Sequence, residues 1–439
     1  MTHFTEKLQE KLRDLQKVGQ LAQFLIAVST SQTAEAGSTK QDFCGGYHPL
    51  TTDQYLSGSF LFQWPNGQLS KGNLTRGSLA GFDRLITEAK SAAFTDPFGD
   101  NFPAAKPHPQ VQIAAEEVIT TSKNPTAHLT NWVMKLQSWQ ERANPKGTQY
   151  IGTTLQNSAF RVFSSNGFDL EERGTLNSLL SVYDNTAYFS HSSRELLDPE
   201  IVKQKKEQTE QLFSILKRPL KSPARAGKYK IILYPPVFSA AFFELFLANL
   251  SGKLVVDGRS KFALADFAQQ KAALRSDISI VCDPTQDGKL GAYNFTGEGI
   301  LSRKEVIVDN GQLVTPLLNA KYARRTKMAP TARISQAMDT LEISTANTGE
   351  LDKFIKEQDQ AILVYHALGM HAQDPITGSY SLPCPHALWI KDGELVGNAP
   401  CTITGNFFDD LNNPEAVFLR VPHEHPPALA TTANVVFLS

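Results

Sequence analysis

Hydrophobic positions along the chain change their period several times, and each change predicts an element. Leu8, Leu12, Leu15, Val18, Leu21 and Leu25 recur at three- and four-residue steps among Lys, Glu, Asp and Gln, the stripe of an amphipathic helix. Phe24–Ser29 reads as a strand, and the small polar residues of Thr30–Asp42 read as a loop. Phe60–Trp64 is strand-like and ends at the turn Pro65-Asn66-Gly67. Ser78 reads as the N-cap of a helix with Phe82, Leu85, Ile86 and Ala89 on one face. Proline and polar residues then connect to a second helix after Pro125. Its stripe is Leu129, Trp132, Val133, Leu136 and Trp139, a spacing at which tryptophans belong to a core.

From Gln149 to Ser190 the pattern turns to strands, Tyr150–Leu155, Phe160–Ser164 and Leu176–Tyr183, with a turn at Asn166-Gly167. Asp198-Pro199 opens a helix that runs to about Lys217, an N-cap followed by proline at the first helical position. The basic, proline-containing run Lys217–Lys230 is the best boundary in the chain, and no aromatic residue but Tyr229 interleaves its charges, so it reads as a solvated linker. Beyond it lie short strands. Val306–Val314 and Leu388–Val396 each read as strand, Asn-Gly or Asp-Gly turn, strand. The expected class is α+β, with a mixed helix-and-sheet domain over 1–217 and a strand-rich domain over 228–439.

Composition narrows the functional classes. The 439 residues are 41% hydrophobic and 20% charged, a globular balance. A net charge of −1 removes the bulk electrostatic case for nucleic-acid binding. Met1–Lys17 has no apolar core of a signal peptide. Ile231–Leu250 is apolar but holds Pro235, Pro236, Glu244 and Asn249, so it reads as a buried strand, a break and a buried helix rather than a membrane span. The cysteines, Cys44, Cys282, Cys384 and Cys401, are scattered, which points to a reducing cytoplasm.

No phosphate-binding loop, dinucleotide fingerprint, GxSxG elbow or HExxH site is present. Candidate chemistry rests on a late group: His366, His371, Cys384, His386, Cys401, His423 and His425. His423 and His425 stand two apart, a step that puts both side chains on one face of a strand, and Cys384 and His386 repeat it. Pro422, Pro426 and Pro427 flank the pair and argue for an irregular surface segment. Asp409-Asp410 and Glu298 read as solvated carboxylates, and Cys282 as a buried thiol.

The order of several segments resembles the TldD/PmbA family, also described as modulators of DNA gyrase and as zinc metalloproteases. The segments are Gly369–Gly378 with Ser379-Tyr380-Ser381, the Asp392-Gly393-Glu394 turn, and Ile403-Thr404-Gly405-Asn406. Upstream, Phe295–Gly299 is similar to the family's F-D-D-E-G, with Thr296-Gly297 in place of the two aspartates, and Gly311–Arg325 is similar to the strand and tyrosine-containing loop that follow it. Phe163–Gly167 is similar to its N-S-x-G turn. The likeness runs from about Gly58 to about Pro427.

The TldD branch carries HExxxH just after a strand. Here Pro235 and Pro236 stand where the first His and the Glu would be, and Ala240 where the second His would be. The resemblance is therefore to the PmbA (TldE) branch, which lacks the motif. It implies a non-catalytic subunit without catalytic residues, metal or cofactor. Such a chain pairs with a TldD-like zinc metallopeptidase and helps enclose unfolded peptide, with Thr377, Gly378, Gly405 and Asn406 as candidate peptide contacts. Two alternatives stay open: a self-sufficient hydrolase with a relocated site at His423, His425 and Cys384, and a homodimeric peptide-binding scaffold. No membrane or nucleic-acid partner is expected.

Overall fold

A computed structural model describes residues 2–41, 44–220, 225–334, 337–370 and 373–438. The first half is one antiparallel sheet with helices on its flanks. Its strands are β1 (Gln23–Gln41), β2 (Cys44–Gln63), β3 (Leu69–Thr75), β4 (Gln149–Ser164), β5 (Asp169–Tyr183) and β6 (Ala187–Ser193), in the spatial order β3-β2-β1-β4-β5-β6. Helices α1 (Thr2–Lys17), α2 (Phe82–Ser91), α3 (Glu116–Ser122) and α4 (Thr126–Ala143) cover one face. Phe24, Ile26 and Val28 meet Leu8, Leu12 and Phe82, while Ala34, Ala36 and Ile151 meet Val118, Leu129, Val133 and Leu136.

Three expectations are corrected here. Thr30–Asp42 is not a loop, because β1 continues to Gln41; Asp42 itself lies outside the described residues. Only alternate positions of this stretch touch helices, and Ser29, Ser31, Thr33 and Glu35 face the uncovered side, so the strand lacks an apolar rhythm. For the same reason Tyr150–Leu155 and Phe160–Ser164 are one strand rather than two. Ser78 does not cap a helix. Its hydroxyl accepts from the Thr75 N–H at 2.9 Å, and α2 starts later, after Gly81.

Helix α5 (Pro199–Leu216) begins as its sequence implies, with the Asp198 carboxylate accepting from the Glu200 N–H at 2.8 Å. It leads to the second half. There β7 (Gly227–Leu233), β8 (Ser279–Cys282), β9 (Glu305–Asp309), β10 (Gln312–Leu313), β11 (Leu341–Ser344), β12 (Thr348–Glu350), β13 (Gln360–His366), β14 (Ser379–Cys384), β15 (His386–Lys391), β16 (Glu394–Asn398), β17 (Cys401–Asn406), β18 (Val417–Arg420) and β19 (Ala428–Phe437) form two sheets. The small one is ordered β10-β9-β8-β11. The large one is ordered β12-β18-β19-β7-β13-β15-β16, with β17 also joining β14 to β19. The class is α+β.

Both predicted hairpins form. Asn310 and Gly311 have φ of 47° and 78°, Asp392 and Gly393 of 50° and 81°, so each pair of turn residues is left-handed, as a tight two-residue hairpin requires. The strands divide at the linker, of which residues 221–224 lie outside the described ones, but the apolar core does not. Leu212 and Phe213 of α5 share one cluster with Leu179 and Tyr183 of the first sheet and with Ile232, Leu363 and Leu388 of the second.

Candidate functional site

The segment after β7 decides what the site can do. Tyr234 is buried and caps a helix over residues 235–249, and Pro235 and Pro236 occupy its first turn, where a missing N–H costs no intrahelical bond. Residues 239–243 loosen into a π-helical turn. Val237, Phe238, Ala241, Phe242 and Phe246 face the core of the second half and fix the helix in place. Its other face, with Pro236, Ser239 and Glu244, lines a cleft of about 330 Å³ against Tyr188 and Ser190 of β6, Lys205 of α5, and Tyr365, Glu424 and His425. A neighbouring groove of about 620 Å³ shares Glu424 and His425 and continues past Phe243 to Phe418, Pro426 and Pro427. Leu341–Ile343 of β11 and Thr348–Glu350 of β12 form its walls, and each of these strands is the edge of its sheet.

The cleft holds one buried ion pair, and Glu244 adds a second carboxylate at its exposed side. Lys205, 6% exposed, lies 2.6 Å from the Glu424 carboxylate. The Tyr365 hydroxyl accepts from the Tyr188 N–H at 3.2 Å and donates to the Tyr188 carbonyl at 3.0 Å. Burial, with Glu424 nearby, pushes the phenols of Tyr188 and Tyr234 upward, so both stay protonated. Burial, then Lys205 and His423, push His191 down to about 4, and burial first and Lys289 next lower His425. At neutral pH the cleft thus offers hydrogen-bond donors and acceptors, one ion pair, the Glu244 carboxyl and an apolar extension. It offers no thiolate: burial raises Cys282 to about 12, and the Cys401 thiol and burial raise Cys384.

The zinc that the TldD branch implies does not fit the residues at this helix. Pro235 is buried, Pro236 lines the cleft and Ala240 is half-buried; none carries a donor atom. The alternative ligands are not brought together. His423 contacts the Gln204 side chain at 3.0 Å, His425 lines the cleft, and Cys384 sits in the core directly across from Cys401. Among the described residues no three His, Cys, Asp or Glu side chains gather at one point, and His371 lies outside them.

Thr377, Gly378, Gly405 and Asn406 are brought to each other but not to the cleft. The Asn406 amide donates to the Thr377 carbonyl at 2.7 Å, and its oxygen accepts from the Phe408 N–H at 3.0 Å, capping the helix Phe407–Asn412. Thr377 donates to the Asp374 carboxylate at 2.9 Å. Gly378 has φ +78°, and a Cβ there would lie 2.5 Å from the Phe408 ring; a Cβ on Gly405 would lie 2.6 Å from the Tyr380 hydroxyl. Internal packing thus fixes Gly378 and Gly405, while Thr377 stays exposed.

Two carboxylates differ from expectation. Asp410 is not solvated: it is 6% exposed, accepts from the Tyr380 hydroxyl at 2.7 Å, and burial raises it to about 7. Glu298 accepts from the Ala320 N–H at 3.0 Å at the start of helix Ala320–Thr326. In the similar Phe295–Gly299 segment, the Thr296 hydroxyl accepts from the N–H of Glu298 and Ile300 and so closes the turn without the two aspartates. Sequence reasoning missed the cleft itself, since β6, α5, β13 and the 423–427 segment meet only in three dimensions.

Known proteins share sequence and fold with this chain. Residues 226–431 match the PmbA/TldA metallopeptidase C-terminal domain. An uncharacterized protein of Methanocaldococcus jannaschii is 26% identical over 267 residues, 57% of this chain and 59% of its own length. A metalloprotease PmbA homolog of Buchnera aphidicola is 28% identical over 228 residues, 50% of this chain and 46% of its own. The chain thus matches about half the length of these relatives. TldE from Thermococcus kodakarensis superposes with a TM-score of 0.77 at 17% identity, covering 98% of this chain and 99% of that one. A proposed modulator of DNA gyrase from Bacteroides thetaiotaomicron gives 0.78 at 18%, covering 100% of both, so the two share the fold throughout. The C-terminal domain of this chain, residues 226–431, thus belongs to the TldD/PmbA family.

Proposed function

We propose that this protein is a non-catalytic, TldE-like subunit that holds unfolded peptide beside a TldD-like zinc metallopeptidase. One observation carries the reading: the helix over 235–249 is intact and flanked by a cleft, yet Pro235, Pro236 and Ala240 stand at the three motif positions, so the helix presents neither the histidine pair nor the adjacent glutamate there. Binding is the chemistry that remains. The edges of β11 and β12 suit strand addition by an extended peptide, and Phe243, Phe418 and Pro427 suit its apolar side chains. Thr377, Gly378, Gly405 and Asn406 act in this reading by fixing the loop that packs on helix Phe407–Asn412. The fold shared with TldE supports a heterodimer over a homodimer.

Mixing the purified chain with a TldD-like chain that carries HExxxH tests the pairing. Light scattering should show one species at the summed mass. Two unshifted peaks at micromolar concentration of both chains would refute the pairing.

A further inference from the structure

Of the late histidines, two meet away from the cleft. His366 closes β13, His386 opens β15, and the antiparallel register sets them directly opposite each other. Their ring centroids lie 5.8 Å apart with the planes inclined at 41°. The Nδ1 atom of each is buried and has no hydrogen-bond partner. The neighbouring amide of Asn398 is satisfied by the Ala387 N–H and the Pro385 carbonyl, so it serves neither ring. An imidazole nitrogen sealed from water without a partner is unfavourable, and here two neighbouring rings each carry one.

We propose that His366 and His386 form a two-imidazole site for a divalent transition ion, Cu²⁺ or Zn²⁺, bridging β13 and β15. Two imidazoles that share one ion at ~2.0–2.1 Å hold their centroids about 5–6 Å apart when the angle at the ion is tetrahedral or wider. The separation in the structure falls in that range. Burial lowers both imidazoles, and His366 further lowers His386, so each presents a lone pair rather than a proton. Both residues are only part-buried as a whole. No thiolate joins them, since Cys384 faces the core opposite Cys401. With two protein ligands the ion exchanges readily, unlike a three-ligand catalytic zinc. The site shares no lining residue with the cleft or groove, so it stands apart from the proposed function.

Calorimetric titration of the chelator-stripped chain with CuSO₄ and with ZnSO₄ tests the site. One ion per chain is expected, with Cu²⁺ tighter than Zn²⁺. His366→Ala and His386→Ala should each weaken binding by at least about tenfold, the cost of halving the protein ligand set. His423→Ala with His425→Ala should leave the isotherm unchanged. Binding indifferent to His366→Ala and His386→Ala, or no binding at all, overturns the proposal. Electron paramagnetic resonance of the Cu²⁺-loaded parent gives a readout that does not depend on the variants folding. Two equivalent nitrogen couplings support the site, and an oxygen-only signal refutes it.

Discussion

Replacing Asp410 by Asn should remove a pH dependence that the fold builds in. The carboxyl lies inside helix Phe407–Asn412, 6% exposed, and its Oδ2 accepts from the Tyr380 hydroxyl at 2.7 Å. Burial, the largest cause, outweighs that hydrogen bond and raises the group to about 7. An unfolded aspartate titrates near ~3.9, so the difference of about three pH units corresponds to roughly 4 kcal/mol. Because the folded value is raised, the folded chain holds the proton more tightly. The stability from this group is full below pH ~4 and is lost as the pH climbs through about 7. Asparagine keeps an oxygen for Tyr380 and cannot ionise. Urea denaturation from pH 4.5 to 8.5 should show Asp410→Asn gaining on the parent by about 1.4 kcal/mol per pH unit, then levelling above pH ~7 at roughly 4 kcal/mol. A difference that stays constant with pH would refute the reasoning.

Other outcomes follow from the same geometry. Gly378→Ala should cost about 2–4 kcal/mol by denaturant melting, the sum of a left-handed backbone and a Cβ forced against Phe408. Lys205→Ala should cost roughly 3 kcal/mol by leaving Glu424 unpaired, whereas Lys205→Met with Glu424→Leu should recover most of it in the same melts. Limited proteolysis should cut first between residues 217 and 227, and the two fragments should still co-elute on gel filtration, because α5 and both sheets share one apolar cluster; early cleavage within 231–250 would contradict this.

What the sequence shows depends on whether one strand or helix carries the signal. The Asn310-Gly311 and Asp392-Gly393 hairpins are legible because two adjacent residues set the backbone of the turn. The Asp198-Pro199 helix start and the buried run after Lys230 are legible for the same local reason. The outer half of β1 is not, because its exposed face carries Ser, Thr and Glu where a strand rhythm would need a second apolar layer. Asp410 looks like a surface carboxylate until β14 brings Tyr380 over it. The missing catalytic motif is readable in Pro235, Pro236 and Ala240, but the cleft beside it needs β6, α5 and β13 in place. Likewise His366 and His386 become a pair only through the register of β13 on β15.

Peptide hydrolysis is the most direct test of the central claim. Unfolded, fluorogenic peptide should remain uncut by this chain alone and be cut once a TldD-like chain with an intact HExxxH is added. Cleavage by this chain alone that disappears with His423→Ala and His425→Ala would contradict the account and move the catalytic centre to that segment.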